Sequence, residues 1–459
     1  MAIIGAGAAG LYAADILNSQ GIDVFVLEAR SSLGGRIRSF STSDSQTDNS
    51  SSSFIYDFHY PPIADFPVEL GADLVVGSDS QWGQIVSTLN LSAIDLTTST
   101  NQYALDNLPK DSTGWQNDAD FNAVESFVSG LSSYAGADMS INEAAGVSSR
   151  AQALLNSQAG NFYGSSSERI DALALAADLK LRTHNSKLLT VQTNQWQDIL
   201  LSRFNGVVSK VQLNTAVASI NYQNTDSIVI TDSSGKQYKA NKVIVTVPIT
   251  ILQNNGIAFS PALPSVNAGA VAKFGMDPCM RLVIDFKTNF WGNNDGFIWG
   301  GSTAPQYFNA GFNRSKFTST LFVTVCGPAA AKLSSLSGGG VTQILKPILA
   351  ELDTLYPDPS GIFSGLATRY VVRKIVNSAE TDPIASIYDW TQDPFIKGGF
   401  SYPLVGTSHQ DRINLGMSVN NQLFFAGEAT DVSGDAGTVN GALASAMRAA
   451  TELIKSITG

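Results

Sequence analysis

The sequence predicts an α/β fold assembled from widely separated pieces of the chain, on three observations. The first residues form a short apolar strand that runs into a Gly-x-Gly-x-x-Gly turn, Gly5-Ala6-Gly7-Ala8-Ala9-Gly10, and then a helix. A central strand, Val243-Ile244-Val245-Thr246-Val247, stops at Pro248. A third strand, Leu423-Phe424-Phe425-Ala426, stops at Gly427-Glu428 and is followed by a helix that begins after Gly437-Thr438.

The opening turn has a mechanical reading. Gly5 lets the strand turn sharply, Gly7 lets backbone N–H groups approach a phosphate, and Gly10 lets the following helix, about Leu11 to Gln20, pack closely on the sheet. Ala9 sits in the same turn. The helix N-terminus offers unpaired N–H groups and a partial positive charge to two phosphates. A second apolar run, Ile22 to Leu27, ends at Glu28, eighteen residues past Gly10, where a carboxylate accepts both hydroxyls of an adenosine ribose. Strand, turn, helix, strand and acid arrive in the order that a dinucleotide site requires.

The next block is Glu28-Ala29-Arg30-Ser31-Ser32-Leu33-Gly34-Gly35-Arg36. With it the chain resembles the flavin-containing amine oxidases, a superfamily of polyamine, monoamine and L-amino-acid oxidases with related desaturases and isomerases. The resemblance implies FAD as cofactor. Ala29 and Arg30 would lie near the adenosine and Gly35 and Arg36 near the pyrophosphate. It further implies Val217 in an adenine-facing strand made by the segment Lys210 to Val217, and Thr246 in a Thr-x-Pro crossover. Gly427 and Glu428 would serve the ribityl or pyrophosphate region, and Thr438 and Val439 the flavin pyrimidine carbonyl. Gly71 and Ala72, in Glu69-Leu70-Gly71-Ala72-Asp73, would pass over the flavin face. Trp390 would stand beside the ring system and Phe400 in the aromatic pair that sandwiches an amine.

The departures from the family pattern are as specific. The second aromatic of the sandwich falls at Thr438. The family lysine that holds a water at flavin N5 lies ten residues before a Phe-Trp pair, and counting back from Trp291 lands on Arg281. An arginine can hold that water but stays protonated and cannot act as a base. The Gly-x-x-Arg that grips an amino-acid carboxylate reads Gly71-Ala72-Asp73-Leu74, which weakens an amino-acid substrate, and the loop Gln192 to Trp196 lacks the usual Gly-Gly. Glu69 and Asp73 are candidates for contact with a cationic substrate, against the plainer readings of a solvated acid or a helix cap. The stretch Gly398-Gly399-Phe400-Ser401-Tyr402 has no cysteine for a flavin linkage, so FAD is expected to be noncovalent.

Composition sets the outer bounds. A chain of 459 residues with 44% hydrophobic content is ample for two large cores. It has no run of eighteen apolar residues, so no membrane span is expected. A net charge of −11 and a pI near 4.7 argue against a nucleic-acid partner. His59, His184 and His409 are scattered and no Cys-x-x-Cys occurs, so no metal site is expected. Cys279 and Cys326 either pair or stay free and buried. High Ser/Thr content and modest lysine lean toward a secreted protein, and the sequons at Asn49, Asn90 and Asn313 add little.

The expected organisation is a discontinuous Rossmann-like FAD-binding domain (residues 1–59, 193–262 and 404–459) with an interleaved α+β substrate-binding domain (60–192 and 263–403). Ser39 to Ser53 reads as a low-complexity surface loop. Helices are expected near Trp82 to Asn90, Phe121 to Leu131, Ala151 to Asn156, Ile170 to Leu181 and Val341 to Leu355, and a strand over Met280 to Phe286. The function implied is FAD-dependent amine oxidation of a small-molecule substrate with O2 reduced to hydrogen peroxide. Arg281, Trp390, Phe400 and Thr438 would shape the reacting pocket. A desaturase or double-bond isomerase acting on an apolar substrate, such as an unsaturated fatty acid, is the alternative. It shares every cofactor motif and needs neither the amine cage nor the lysine.

Overall fold

The computed structural model describes residues 1–40, 55–56, 66–225, 227–286, 288–314, 319–357, 372–374, 381–383 and 385–458. The part of the low-complexity stretch from 41 to 53, and His59, lie outside the described residues.

A five-stranded parallel sheet joins the start, middle and end of the chain. Its order is Leu423–Phe425, Val243–Val245, Ala2–Ile4, Phe25–Leu27 and Val211–Gln212. Four of these short strands are apolar, as a parallel sheet covered on both faces requires, and the edge strand Val211–Gln212 exposes Gln212. The helix Ala8–Ser19 starts three residues earlier than its apolar period suggests. It buries Ala8, Ala9, Gly10, Leu11, Ala13, Ala14 and Leu17, a small-residue face that lets it lie close to the sheet. A Cβ on Gly10 would overlap the Gly5 carbonyl oxygen, and Gly5 itself has φ +105°. The turn thus tolerates only glycine at both positions. The last helix, Val439–Thr458, packs Leu443, Ala446, Ala449, Ala450 and Leu453 into the same core.

The segment expected as one adenine-facing strand divides. Val211–Gln212 closes the parallel sheet, and Val217–Asn221 enters a separate four-stranded sheet with Ile228–Asp232, Gln237–Ala240 and Ala258–Ser260.

The other large layer is an eight-stranded sheet. Its order is Ile55–Tyr56, Ala385–Asp389, Cys279–Asp285, Thr320–Cys326, Gln306–Asn309, Asp295–Trp299, Thr100–Leu105 and Leu108–Lys110. Alternation along Cys279–Asp285 divides its work. Met280, Leu282 and Ile284 pack under the helix Val341–Leu355, whose buried Ile344, Leu345, Ile348, Leu349, Leu352 and Leu355 follow helical spacing. Arg281 and Val283 face the other way, toward the middle of the molecule. Cys279 and Cys326, directly opposite each other on neighbouring strands, form a disulfide.

The expected helices appear at Gln81–Thr88, Ala119–Gly130, Gln152–Leu155, Ala172–Lys180 and Val341–Leu355. The third continues into a π-helical turn, Asn156–Gly160, which delivers Asn161, Phe162 and Tyr163 to the centre. Among the described residues no helix is long and apolar enough to cross a membrane, and no cluster of potential metal ligands occurs.

Candidate active site

One elongated cavity of about 530 Å³ runs between the two layers. Its wall contains Gly5, Gly7, Ala9, Glu28, Ala29, Arg30, Gly35, Arg36, Val217 and Thr246, together with Gly71, Ala72, Arg281, Trp390, Phe400, Gly427, Glu428, Thr438 and Val439. All the residues expected at the cofactor and the reacting pocket therefore share this cavity except Gly10. Gly10 is set back from it and serves helix packing.

The wall around the glycine turn suits an anion. Gly7 begins the first helix without any side-chain cap, and a Cβ there would project no closer than 3.9 Å to Gly34 and Gly35, so the approach to the helix N-terminus is open. The second helix start, at Thr438-Val439, lies in the same wall. Glu28 is buried and accepts from the N–H groups of Ala6 at 2.6 Å and Arg30 at 2.9 Å, which fixes the carboxylate at the end of its strand. Thr246 donates its hydroxyl to Ile4 O at 2.8 Å, tying the crossover to the first strand.

Arg36 donates to Glu428 Oε1 at 2.7 Å and to Gly399 O at 3.0 Å. Glu428 also accepts from Ser401 Oγ at 2.6 Å and from Gly437 N at 2.9 Å. Burial pushes the Glu428 carboxyl up, but the Arg36 charge and the hydrogen bonds from Ser401 and Arg36 outweigh it and hold the group below its ordinary value. Both Glu428 oxygens are thus engaged by protein, and one of them fixes the direction of Arg36.

Trp390 donates Nε1–H to Leu70 O at 2.8 Å and packs on Tyr388, with ring centroids 4.3 Å apart. Arg30 lies 5.5 Å over the Trp390 ring and pairs with Asp393. A Cβ on Gly71 would overlap the Arg36 carbonyl and press on Trp390, so this glycine lets three segments meet. Phe400 borders Gly164 and Gly437. Thr438 lines the cavity while its hydroxyl donates to Asp435 O at 2.7 Å and accepts from Gly441 N at 3.2 Å, closing the first turn of the last helix.

Arg281 is buried in the wall and makes three hydrogen bonds to protein among the described residues. Its guanidinium pairs with Asp73, donates to Thr324 Oγ1 and to Glu69 O, and lies 4.7 Å over the Phe322 ring. The sheet explains this cluster: Thr324 is the cross-strand partner of Arg281, and Phe322 follows on the same face. Asp73 therefore reaches the cavity as the partner of an arginine.

Glu69 does not reach the cavity. It accepts from Ser39 Oγ at 2.7 Å and from the N–H of Trp196 at 3.0 Å, satisfying the first turn of the helix Trp196–Arg203. Burial pushes its carboxyl up to about 8 against those two hydrogen bonds, with the Asp73 charge raising it further and Arg281 opposing.

Sequence reasoning missed Asn161, Tyr163, Asp178, Gln306 and Arg412, all in the wall. The aromatic pair before Gly164 was the one local signal for Tyr163. Asp178 and Arg412 pair through guanidinium nitrogens at 2.8 and 3.0 Å across 234 residues, a relation no local pattern carries.

Comparison with known proteins bears on this geometry. The chain is 25% identical over 473 residues to lysine-specific histone demethylase 2 of Homo sapiens, covering 98% of this chain and 53% of that protein. It is 28% identical over 249 residues to polyamine oxidase 4 of Oryza sativa subsp. japonica, covering 54% of this chain and 46% of that protein. The chain thus spans about half the length, or less, of the curated relatives it matches. Its fold superposes on putrescine oxidase bound to putrescine with TM-score 0.74 at 18% identity, covering 99% of this chain and 98% of the other. It superposes on cyclohexylamine oxidase from Brevibacterium oxydans IH-35A with TM-score 0.76 at 16% identity, covering 100% and 99%. The NAD(P)-binding Rossmann-like domain matches residues 3–83, and flavin containing amine oxidoreductase matches residues 173–454, more than half of the chain. The protein belongs to the flavin-containing amine oxidoreductase family, with that family's Rossmann-like α/β fold and a flavin as its cofactor.

Proposed function

We propose that the protein is an FAD-dependent amine oxidase of polyamine-oxidase-like architecture. The observation that carries this reading is the continuity of one cavity from Glu28 and the two helix N-termini to a wall of Trp390, Phe400, Tyr163 and Arg281. The donor set fits FAD: an acid for a ribose, open backbone N–H groups and Arg36 for a pyrophosphate, and apolar surface beyond. Noncovalent attachment is supported by the lining, whose cysteine, Cys279, is held in a disulfide. When bound, the flavin supplies the redox step, taking hydride at N5 from the carbon beside an amine nitrogen and passing two electrons to O2, which gives hydrogen peroxide and an imine that hydrolyses.

The residues of the chain supply position and environment. Arg36, oriented by Glu428, holds the phosphates, and Glu28 accepts the ribose hydroxyls. The apolar wall excludes water and favours the uncharged amine, whose lone pair supports hydride loss. Arg281 keeps N–H donors beyond its three protein bonds with which to hold a water or an oxygen species. The disulfide supports an oxidising compartment and hence secretion.

A second reading, desaturation or double-bond isomerisation of an apolar substrate, is favoured by one observation. Among the described residues every carboxylate in the wall already has a partner. A peroxide screen of the purified yellow protein across monoamines, polyamines, amino acids and unsaturated fatty acids tests both. Peroxide on amine addition is expected, and an enzyme that bleaches with none of the amines is no amine oxidase.

A further inference from the structure

The described wall of the cavity holds four carboxylates, Glu28, Asp73, Asp178 and Glu428. Each is answered by the protein itself. Asp73 pairs with Arg281, Asp178 with Arg412, and Glu428 with Arg36. Glu28, beside the glycine turn, accepts two backbone N–H groups. The same wall contributes Leu74, Phe162, Leu175, Leu179, Phe297 and Phe308 as apolar surface. Gln306 stands among these aromatics with 6% of its surface exposed. Its Oε1 accepts from Asn161 Nδ2 at 3.3 Å, and its Nε2 has no protein partner among the described residues. It therefore offers the cavity a buried, neutral amide.

A second ammonium carried into such a cavity would lose its hydration and meet, among the described residues, no carboxylate without a protein partner. An amine with one nitrogen avoids this, because that nitrogen enters uncharged for the reaction and the rest of the molecule is apolar. We propose that the site selects amines with a single nitrogen and an apolar body and rejects diamines and polyamines, with the Asp73–Arg281 pair and the neutral Gln306 as the specificity-determining residues. This selection rests on the amine-oxidation reading above and narrows it.

The test uses the flavin-loaded enzyme and two probes of equal chain length, hexylamine and 1,6-diaminohexane. Binding is read by calorimetry under argon and turnover by peroxide release in air. Hexylamine is expected to bind more tightly by about 100-fold, the scale set by burying an unpaired charge. Gln306→Glu keeps the shape and the hydrogen bond from Asn161 while adding one carboxylate, and it is expected to narrow that gap by about tenfold, the worth of one charge-assisted hydrogen bond. Equal or tighter binding of the diamine to the unaltered enzyme overturns the selection, as does binding of neither amine. Preferential binding of hexylamine without peroxide leaves the selection standing and overturns only the oxidation reading.

Discussion

Arg281 and Asp73 form a buried ion pair in the cavity wall although 208 residues separate them. Removing one member of such a pair strands the other charge and costs about 3–5 kcal/mol, whereas replacing both with apolar side chains is far less damaging. Arg281→Met is therefore expected to lower the denaturation midpoint and to slow reduction of the flavin by an amine while FAD stays bound. Adding Asp73→Leu is expected to restore stability without restoring the rate. Urea denaturation and stopped-flow reduction separate the two effects. A rate that returns with stability would leave Arg281 a purely structural residue.

Arg36 owes its direction to Glu428, which is itself locked by Ser401 and Gly437. Glu428→Gln keeps the shape and removes the charge, so Arg36 loses its charge-assisted bond and its fixed aim at the phosphates. FAD affinity is expected to fall about tenfold or more, since hydrogen bonds to charged groups contribute about 1.5–3 kcal/mol. Titrating the apoprotein with FAD and following flavin fluorescence measures it. Unchanged affinity would mean that the helix N-termini hold the phosphates unaided.

These two networks show what was legible in the sequence. The glycine turn and the final helix were readable because each follows from contacts within a few residues along the chain, Glu28 from its spacing after that turn, and Arg36 from the family resemblance. The Asp106-Asn107 turn, with φ +54° and +59° between Thr100–Leu105 and Leu108–Lys110, went unread. The pairing of charges was not readable. Whether Asp73 meets a substrate or an arginine, and whether Glu69 faces the cavity or caps a helix, depends on how two sheets pack. Sequence alone gives such acids the same appearance.

Thr438 illustrates a position with two duties. It lines the cavity, and its hydroxyl closes the first turn of the last helix. Thr438→Ser is expected to be nearly neutral in stability, and Thr438→Ala to cost about 1 kcal/mol, the ordinary value of an N-terminal cap. Thermal denaturation of the two holoenzymes makes the comparison. Equal stability would show that the cap contributes nothing.

Glu69 gives the fold a dependence on pH. Its carboxyl is raised from 4.5 to about 8 by burial, outweighing the hydrogen bonds from Ser39 and the Trp196 N–H, with Asp73 raising it and Arg281 lowering it. The folded chain thus binds this proton more tightly than the unfolded chain. Its contribution to stability is fully present below pH 4.5 and is lost as the pH rises toward 8, on the order of a few kcal/mol across that window. Glu69→Gln, which is neutral at every pH and keeps an acceptor for the Trp196 N–H, is expected to flatten this slope and to be the more stable form at pH 8. Denaturation midpoints of both proteins from pH 5 to 8.5 supply the measurement. Parallel profiles would show that Glu69 is ionised in the folded chain, with Arg281 rather than a proton neutralising it.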